Sequence, residues 1–283
     1  CSNGSRYYTK IAYRLGWITD VILYGAFKSA AEGILLTPDN WEKELNNIDL
    51  LFIISGWHGI HNEWNGFARE GSPKRQIIYK VIQQCKAADI PTVFYSVEDP
   101  PNFDRFIGIA QKVDYVFTAA IEMLPKYKEM CGHDRIYQLS YGIDPLLHNP
   151  IGMRKFPKQK EVFFAGSWME KYPERGKDLK VLFDGVLRAG RKLKIIDRNL
   201  LLSQQEYRFP KEYTQYLSPP LDHEVLQRVH KLYDWAININ SVKESATMFA
   251  NRTYELQAMG NLMLSNYSVG VNSKLPLIFT TQH

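Results

Sequence analysis

Short, wholly apolar runs alternate along this chain with longer segments in which apolar residues return every third or fourth position. Residues 49–55 (DLLFIIS) form a continuous apolar run between polar flanks, which predicts a strand buried on both faces. Residues 72–87 open with Ser72-Pro73 and place Ile77, Ile78, Val81 and Ile82 at helical spacing, which predicts a helix. The same reading predicts strands at residues 90–96, 113–118 and 135–139, helices at 103–112 and 119–130, and an earlier strand at 17–24. Strands that alternate with helices in this way imply βαβ units and a parallel sheet.

Residues 141–160 (YGIDPLLHNPIGMRKFPKQK) break the pattern with proline-bearing turns and a basic polar run, and are read as an interdomain linker. The alternation then resumes, with strands predicted at 161–165, 193–197, 235–238 and 261–265 and helices at 173–189, 222–231 and 251–259. In the first of these helices Leu179, Leu182, Phe183 and Val186 share one face. The fold class is therefore α/β, with two domains, residues 1–150 and 151–283, and no solenoid-type repeat.

Composition narrows the class further. At 283 residues, 45% hydrophobic and 23% charged, the chain is an ordinary globular one and not a disordered one. No apolar run approaches the roughly 18–20 residues of a membrane span, and no signal peptide is visible, so a cytoplasmic protein is expected. Three scattered cysteines (Cys1, Cys85, Cys131) suit reduced thiols rather than a disulfide framework or a zinc cluster. Charge is uneven. Residues 1–150 carry 15 Lys+Arg against 17 Asp+Glu, a net of −2, and residues 151–283 carry 20 against 13, a net of +7. A basic half fits an anionic ligand or only a solvated basic face, and charge alone favours the latter.

Open parallel sheets bind ligands beyond the carboxyl ends of their strands. The residues following the predicted strands are Gly56-Trp57-His58-Gly59, Glu98-Asp99, Gly166-Ser167-Trp168, Asp197-Arg198 and the run from Asn240 to Ser245. Glu98-Asp99 reads either as functional acid or as the acidic opening of the next helix, and His58 either as functional or as a plain loop histidine. Gly166-Ser167 matches no Walker or dinucleotide glycine pattern, and Arg175 alone reads as surface. The most informative stretch is residues 240–260 (NSVKESATMFANRTYELQAMG). A helix over 251–259 sets Arg252 and Glu255 three residues apart near its N-terminal half, where an acid can hold ribose hydroxyls and amides can hold phosphate. A surface Arg–Glu pair would share that spacing.

The run from Arg252 to Gly260 (RTYELQAMG), followed by NLMLSN, resembles the R-x-F-E-x-x-A-x-G signature of two-Rossmann, GT-B-type glycosyltransferases. It is most similar to the spore-maturation, CgeB-like branch. EVFFAGSWMEKYPERGKDL, IIDRNL and ININSVKESATMFANR agree with it in the second half, and LTPDNW, SGWHGIHNEW and YSVEDPPNF in the first, so the resemblance spans residues 36–270. It implies two Rossmann-like domains facing across a cleft, and transfer of a sugar from a nucleotide-sugar donor, UDP-linked by expectation, to a glycan, cell-surface polymer or other acceptor. It further implies a donor site on the C-terminal domain: Glu255 on the ribose, with Arg252, Gly166, Ser167, Arg175, Asp197, Arg198 and the loop residues Asn240, Ser241, Lys243 and Ser245 around the diphosphate. Asp99, Glu98 and His58 become the candidates for catalytic base, and Trp57 lies on the acceptor side.

The resemblance implies no cofactor and no bound metal, because basic side chains and helix dipoles stabilise the departing diphosphate; no Asp-x-Asp stands in the sequence. No nucleic-acid partner is expected, because the basic residues are spread through predicted helices and no nucleic-acid-binding motif is present; peripheral membrane association is compatible with the reading. The second acid of retaining members is replaced by Thr247, which leaves retention and inversion both open. Members continue past the point where this chain ends, at His283, so the C-terminal domain reads as cut short and the chain as part of a longer one. A nucleotide-sugar epimerase of the same fold and a non-catalytic carbohydrate-binding module are the alternative readings.

Overall fold

The computed structural model of the chain describes residues 10–153, 159–275 and 278–281. Cys1, His283 and residues 154–158 of the predicted linker lie outside the described residues. Two compact units result. One comprises the chain up to Asp144 together with Ala246–Met248; the other comprises Pro145–Ser245 and the chain from Phe249 onward.

The first unit contains β1 (Ile11–Ile18), α1 (Val21–Phe27), β2 (Ala31–Leu35), α2 (Trp41–Glu44), β3 (Leu50–Ile54), α3 (Pro73–Ala87), β4 (Thr92–Ser96), α4 (Phe103–Ala110), β5 (Tyr115–Thr118), α5 (Leu124–Cys131) and β6 (Ile136–Gln138). Its six strands lie in the order β2-β1-β3-β4-β5-β6 and every neighbouring pair is parallel. The strand predicted at 17–24 is corrected. Only Trp17 and Ile18 of that run belong to β1; Thr19 and Asp20 connect it to α1, which takes up the rest. Both elements are apolar, so hydrophobicity alone could not divide them. Helices cover the sheet and bury Ile53, Phe94, Phe106, Ile109 and Tyr127 between layers.

The second unit contains β7 (Val162–Gly166), α6 (Pro173–Arg188), β8 (Leu193–Asp197), β9 (Leu217–Ser218), α7 (His223–His230), β10 (Trp235–Asn238), α8 (Arg252–Met259), β11 (Leu262–Asn266), α9 (Val269–Lys274) and β12 (Phe279–Thr281). The order is β12-β11-β10-β7-β8-β9, again all parallel. The predicted apolar face of α6 is buried throughout, packed with Phe164, Ile195 and Ile237. Helix α8 ends on Gly260, whose φ of +82° is the left-handed value that a β-carbon disfavours.

In each sheet the chain runs outward on one side of its first strand and then returns to build on the other. The reversal falls between β1 and β3 in the first sheet and between β7 and β10 in the second. At such a switch point the two loops leave in opposite directions and open a crevice at the carboxyl ends.

A buried cation fixes the long loop after β3. Arg75, in the first turn of α3, has no exposed surface; its Nε donates to the Phe67 carbonyl (2.7 Å) and its Nη2 to that of Ala68 (3.1 Å) and to that of Arg105. Nη1 meets Glu70 at 3.2 Å. Arg75→Ala leaves three carbonyls without their donor and is expected to lower unfolding free energy by about 3 kcal/mol, measured by guanidinium denaturation.

Candidate functional site

In the first unit, the switch point is organised by an acid the sequence reading missed. Asp20 accepts hydrogen bonds from the amides of Trp57 (2.8 Å), His58 (3.2 Å) and Gly59 (2.6 Å). Its carboxylate so fills the space beside Gly56 that a β-carbon there would come within 2.7 Å of it, which is why glycine follows Ser55. The signal for Asp20 was present, as an acid directly after an apolar run, but the misplaced strand boundary hid it.

Glu98, just past β4, is half-buried and accepts from the Trp57 indole (3.2 Å) and the Asn102 amide (3.0 Å). Burial raises its carboxyl above the usual range, the nearby charges of Asp20 and Asp99 add to that, and the two hydrogen bonds oppose it. His58 is exposed, with Nδ1 at 3.2 Å from Asn65. Glu98 and Trp57 are thus brought together, and His58 adjoins them on the same loop.

Asp99 requires correction as a candidate base. It has no exposed surface, and its oxygens accept from the hydroxyls of Thr118 (2.6 Å) and Tyr127 (3.2 Å). A general base must reach the proton it takes. This carboxylate instead joins the end of β5 to α5. Burial also raises its carboxyl above the ordinary value, against the pull of those hydroxyls.

In the second unit, guanidinium groups gather at the carboxyl edge. Arg175, in the first turn of α6, donates to the carbonyl of Ser167 at 2.8 Å, just past β7. It is pushed down to about 10, first by burial and then by the charges of Arg252 and Arg198. Arg252 opens α8; burial lowers it too, Glu255 opposes that, and Arg198 adds to it. Its Nε is buried without a hydrogen-bond partner, as is the Ser167 hydroxyl. Arg198 is exposed and its amide donates to the Gly166 carbonyl at 3.2 Å. Like charges held near one another, two of them half-buried, are costly, and an anion arriving among them relieves that cost.

Glu255 lies in the first turn of α8, 2% exposed. It accepts from Asn251 Nδ2 (2.9 Å) and Gln227 Nε2 (3.4 Å). Gln227 meets His230 Nδ1 at 3.2 Å, and His148 Nε2 lies 3.8 Å from Glu255 Oε1. Burial holds His223 below its ordinary value and His230 well below it. His223, Gln227 and His230 share one face of α7, at i, i+4 and i+7, while His148 comes from the distant segment before β7, and no spacing in the sequence joins it or α7 to Glu255.

Three donor-side candidates occupy other roles. The Asn240 side chain is committed: its Nδ2 donates to Ser265 and Asn266, and its Oδ1 accepts from the Ala250 amide (2.9 Å). Its expected place at the diphosphate is corrected to that of a brace between the ends of β10 and β11. Lys243 pairs with Asp178 at 3.2 Å, and the buried Asp197 accepts from the Asn199 amide at 2.9 Å, closing the turn after β8. Ser245 is buried and Ser241 exposed. Thr247 donates to the Ala119 carbonyl (2.6 Å) and accepts from the Ile121 amide (2.8 Å), a backbone tie within the first unit.

Two all-parallel six-stranded sheets wrapped by helices define the chain as an α/β protein of the GT-B fold class. Among solved structures, an alpha-glucosyltransferase in complex with UDP and a 13-mer DNA containing a central A:G mismatch matches with a TM-score of 0.51 and 13% identity, covering 87% of this chain and 67% of that one. A second alpha-glucosyltransferase complex, with UDP and a DNA containing a HMU base, matches at TM-score 0.51 and 16% identity over 87% and 68%. No protein-family model and no curated protein matches the sequence.

The raised Asp99 carboxyl sets a stability prediction. The folded protein holds this proton at pH values where the unfolded chain, with an ordinary aspartate near 3.9, has lost it. The stability of wild type relative to Asp99→Asn should therefore fall as pH rises from about 3.9 through the raised value, then level off. Urea melts across that range check it; a difference constant in pH would sink the assignment.

Proposed function

We propose that this chain is a glycosyltransferase that takes its sugar from a nucleotide-sugar donor, UDP-linked, and passes it to a glycan or cell-surface polymer. The observation that carries this reading is the gathering of Arg175, Arg252 and Arg198 at the switch point of the second sheet, beside Glu255 on the same helix as Arg252. Arginines answer the diphosphate and the acid answers the ribose hydroxyls. UDP in the two structurally similar alpha-glucosyltransferases supports the choice of nucleotide. The motif around Arg252 supports placement in the CgeB-like branch. Among the described residues, no helix is long and apolar enough to cross a membrane.

In the proposed reaction, an acceptor oxygen forms a bond to the anomeric carbon. The bond from that carbon to the donor phosphate breaks, and the nucleoside diphosphate leaves with the electron pair. Arg175 and Arg252 stabilise the charge that develops on the leaving group, without a metal. Ser167 and Gly166 border the same loop, and Arg198 adds charge from the next strand end. For an inverting course Glu98 takes the acceptor proton, its raised carboxyl making it a stronger base than an ordinary glutamate. Trp57 and His58 then orient the acceptor. With Thr247 engaged by the backbone, no acid stands at that position to assist retention.

Calorimetry with UDP and with inorganic diphosphate separates the roles. Arg175→Ala and Arg252→Ala should each weaken both ligands by about 10–100-fold, since a hydrogen bond to a charged group contributes roughly 1.5–3 kcal/mol. Glu255→Ala should weaken UDP by about tenfold and leave diphosphate unchanged. Equal UDP affinity in wild type and Glu255→Ala would remove the ribose role.

If Glu98 is the base, kcat/KM should fall as pH drops through its raised value, and Glu98→Gln should abolish that acid limb together with most turnover. A pH–rate profile unaltered by the substitution excludes it.

A further inference from the structure

Beside the arginines, three ligating side chains from three stretches of chain meet in one place, His148 and Glu255 buried and His223 half-buried. His148 comes from the segment preceding β7, His223 opens α7, and Glu255 lies in the first turn of α8. Their ligating atoms all lie within 4.8 Å of one another. The His148 and Glu255 side chains are 0% and 3% exposed, and the two imidazole rings lie 6.4 Å apart at 63°, so they do not stack face to face. His223 Nε2 is buried with no hydrogen-bond partner. A donor-capable nitrogen in that position is normally matched.

The dimensions suit a small cation. Three points no more than 4.8 Å apart share a centre within about 2.8 Å of each, and a zinc-class ion bonds imidazole nitrogen and carboxylate oxygen at roughly 2.0–2.2 Å, so side-chain movements of under about 1 Å close the set. The carboxylate is already oriented from outside by Asn251 and Gln227, as second-layer partners orient metal ligands.

We propose that His148, His223 and Glu255 bind a divalent transition-metal ion of the zinc class, with a fourth position left for water or a hydroxyl. Two imidazoles and one carboxylate select zinc, cobalt, nickel or copper over magnesium or manganese, which prefer oxygen. Such an ion is held by protein alone and needs no nucleotide, unlike an ion carried on a diphosphate. The site stands on the cluster itself and not on the ribose reading of Glu255. Arg252, electrostatically coupled to both Glu255 and His223, opposes the ion and tempers its affinity. The expectation of a metal-free protein is revised to that extent, with no catalytic step assigned to the ion.

The test uses the full chain, stripped with a chelator and titrated with Co2+ in the absence of nucleotide. One equivalent should bind with the visible absorption of a four-coordinate site, and Zn2+ should displace it. His148→Gln and His223→Gln should each weaken Co2+ by at least about tenfold. In the wild type, two exchangeable imidazole N–H resonances should be hyperfine-shifted, a readout that does not depend on any variant folding. Absence of Co2+ binding at millimolar concentration, undiminished binding in both folded variants, or fewer than two shifted imidazole signals overturns the proposal. Because no nucleotide is present, these outcomes are independent of whether UDP binds.

Discussion

Both sheets are parallel and covered by helices, and that constraint decides where chemistry can occur. A strand buried on both faces has no room for an unpaired polar group, so polar side chains collect where strands end. Ser55, Glu98 and Asp20 lie at strand ends in one unit; Ser167, Asp197 and Asn240 lie at strand ends in the other. Carboxyl-end residues divide into two kinds. Asp20, Asp99, Asp197 and Asn240 spend their oxygens on backbone amides or hydroxyls and hold the loops in shape. Arg175, Arg252 and Glu98 keep unneutralised or perturbed charge. Residues of the first kind give the second their positions.

Much of the fold was legible in the sequence, because a buried strand and an amphipathic helix each leave a periodic trace. Residues 193–197 and 235–238 were bounded to the residue, and the apolar face of α6 was named in full. What was missed lacked that trace. Strand β2 (AEGIL) carries a glutamate and a glycine and pairs with a single neighbour, and β9 has two residues. The junction of β1 and α1 failed because a buried strand end and a helix start are equally apolar.

The site was legible where one helix carried it. Arg252 and Glu255 are three residues apart in the chain and remain side by side in space. Arg175 was found only through its motif, since its nearness to Arg252 depends on how β7 and β10 are paired. His223 and His230 share the helix predicted at 222–231, but nothing in the sequence joins that helix to His148 or Glu255: 75 positions separate His148 from His223, and only the folding of the second unit brings them together. Asp99 shows the opposite error. An acid after a strand fits both a catalytic and a structural role, and the choice is made by Thr118 and Tyr127, which the sequence does not place.

The threonine at position 247 bears on how the protein can be dissected. Its hydroxyl accepts the amide of Ile121 and donates to the carbonyl of Ala119, while the residues on either side of Ala246–Met248 belong to the other unit. The chain therefore crosses between units three times, not once. Cutting at the bond between residues 144 and 145 would not yield two self-sufficient domains. The N-terminal piece would lose the partner of two backbone groups at the end of its fifth strand, and the C-terminal piece would carry three residues folded for a surface it no longer had. For engineering, the two units are not separable by a single cut.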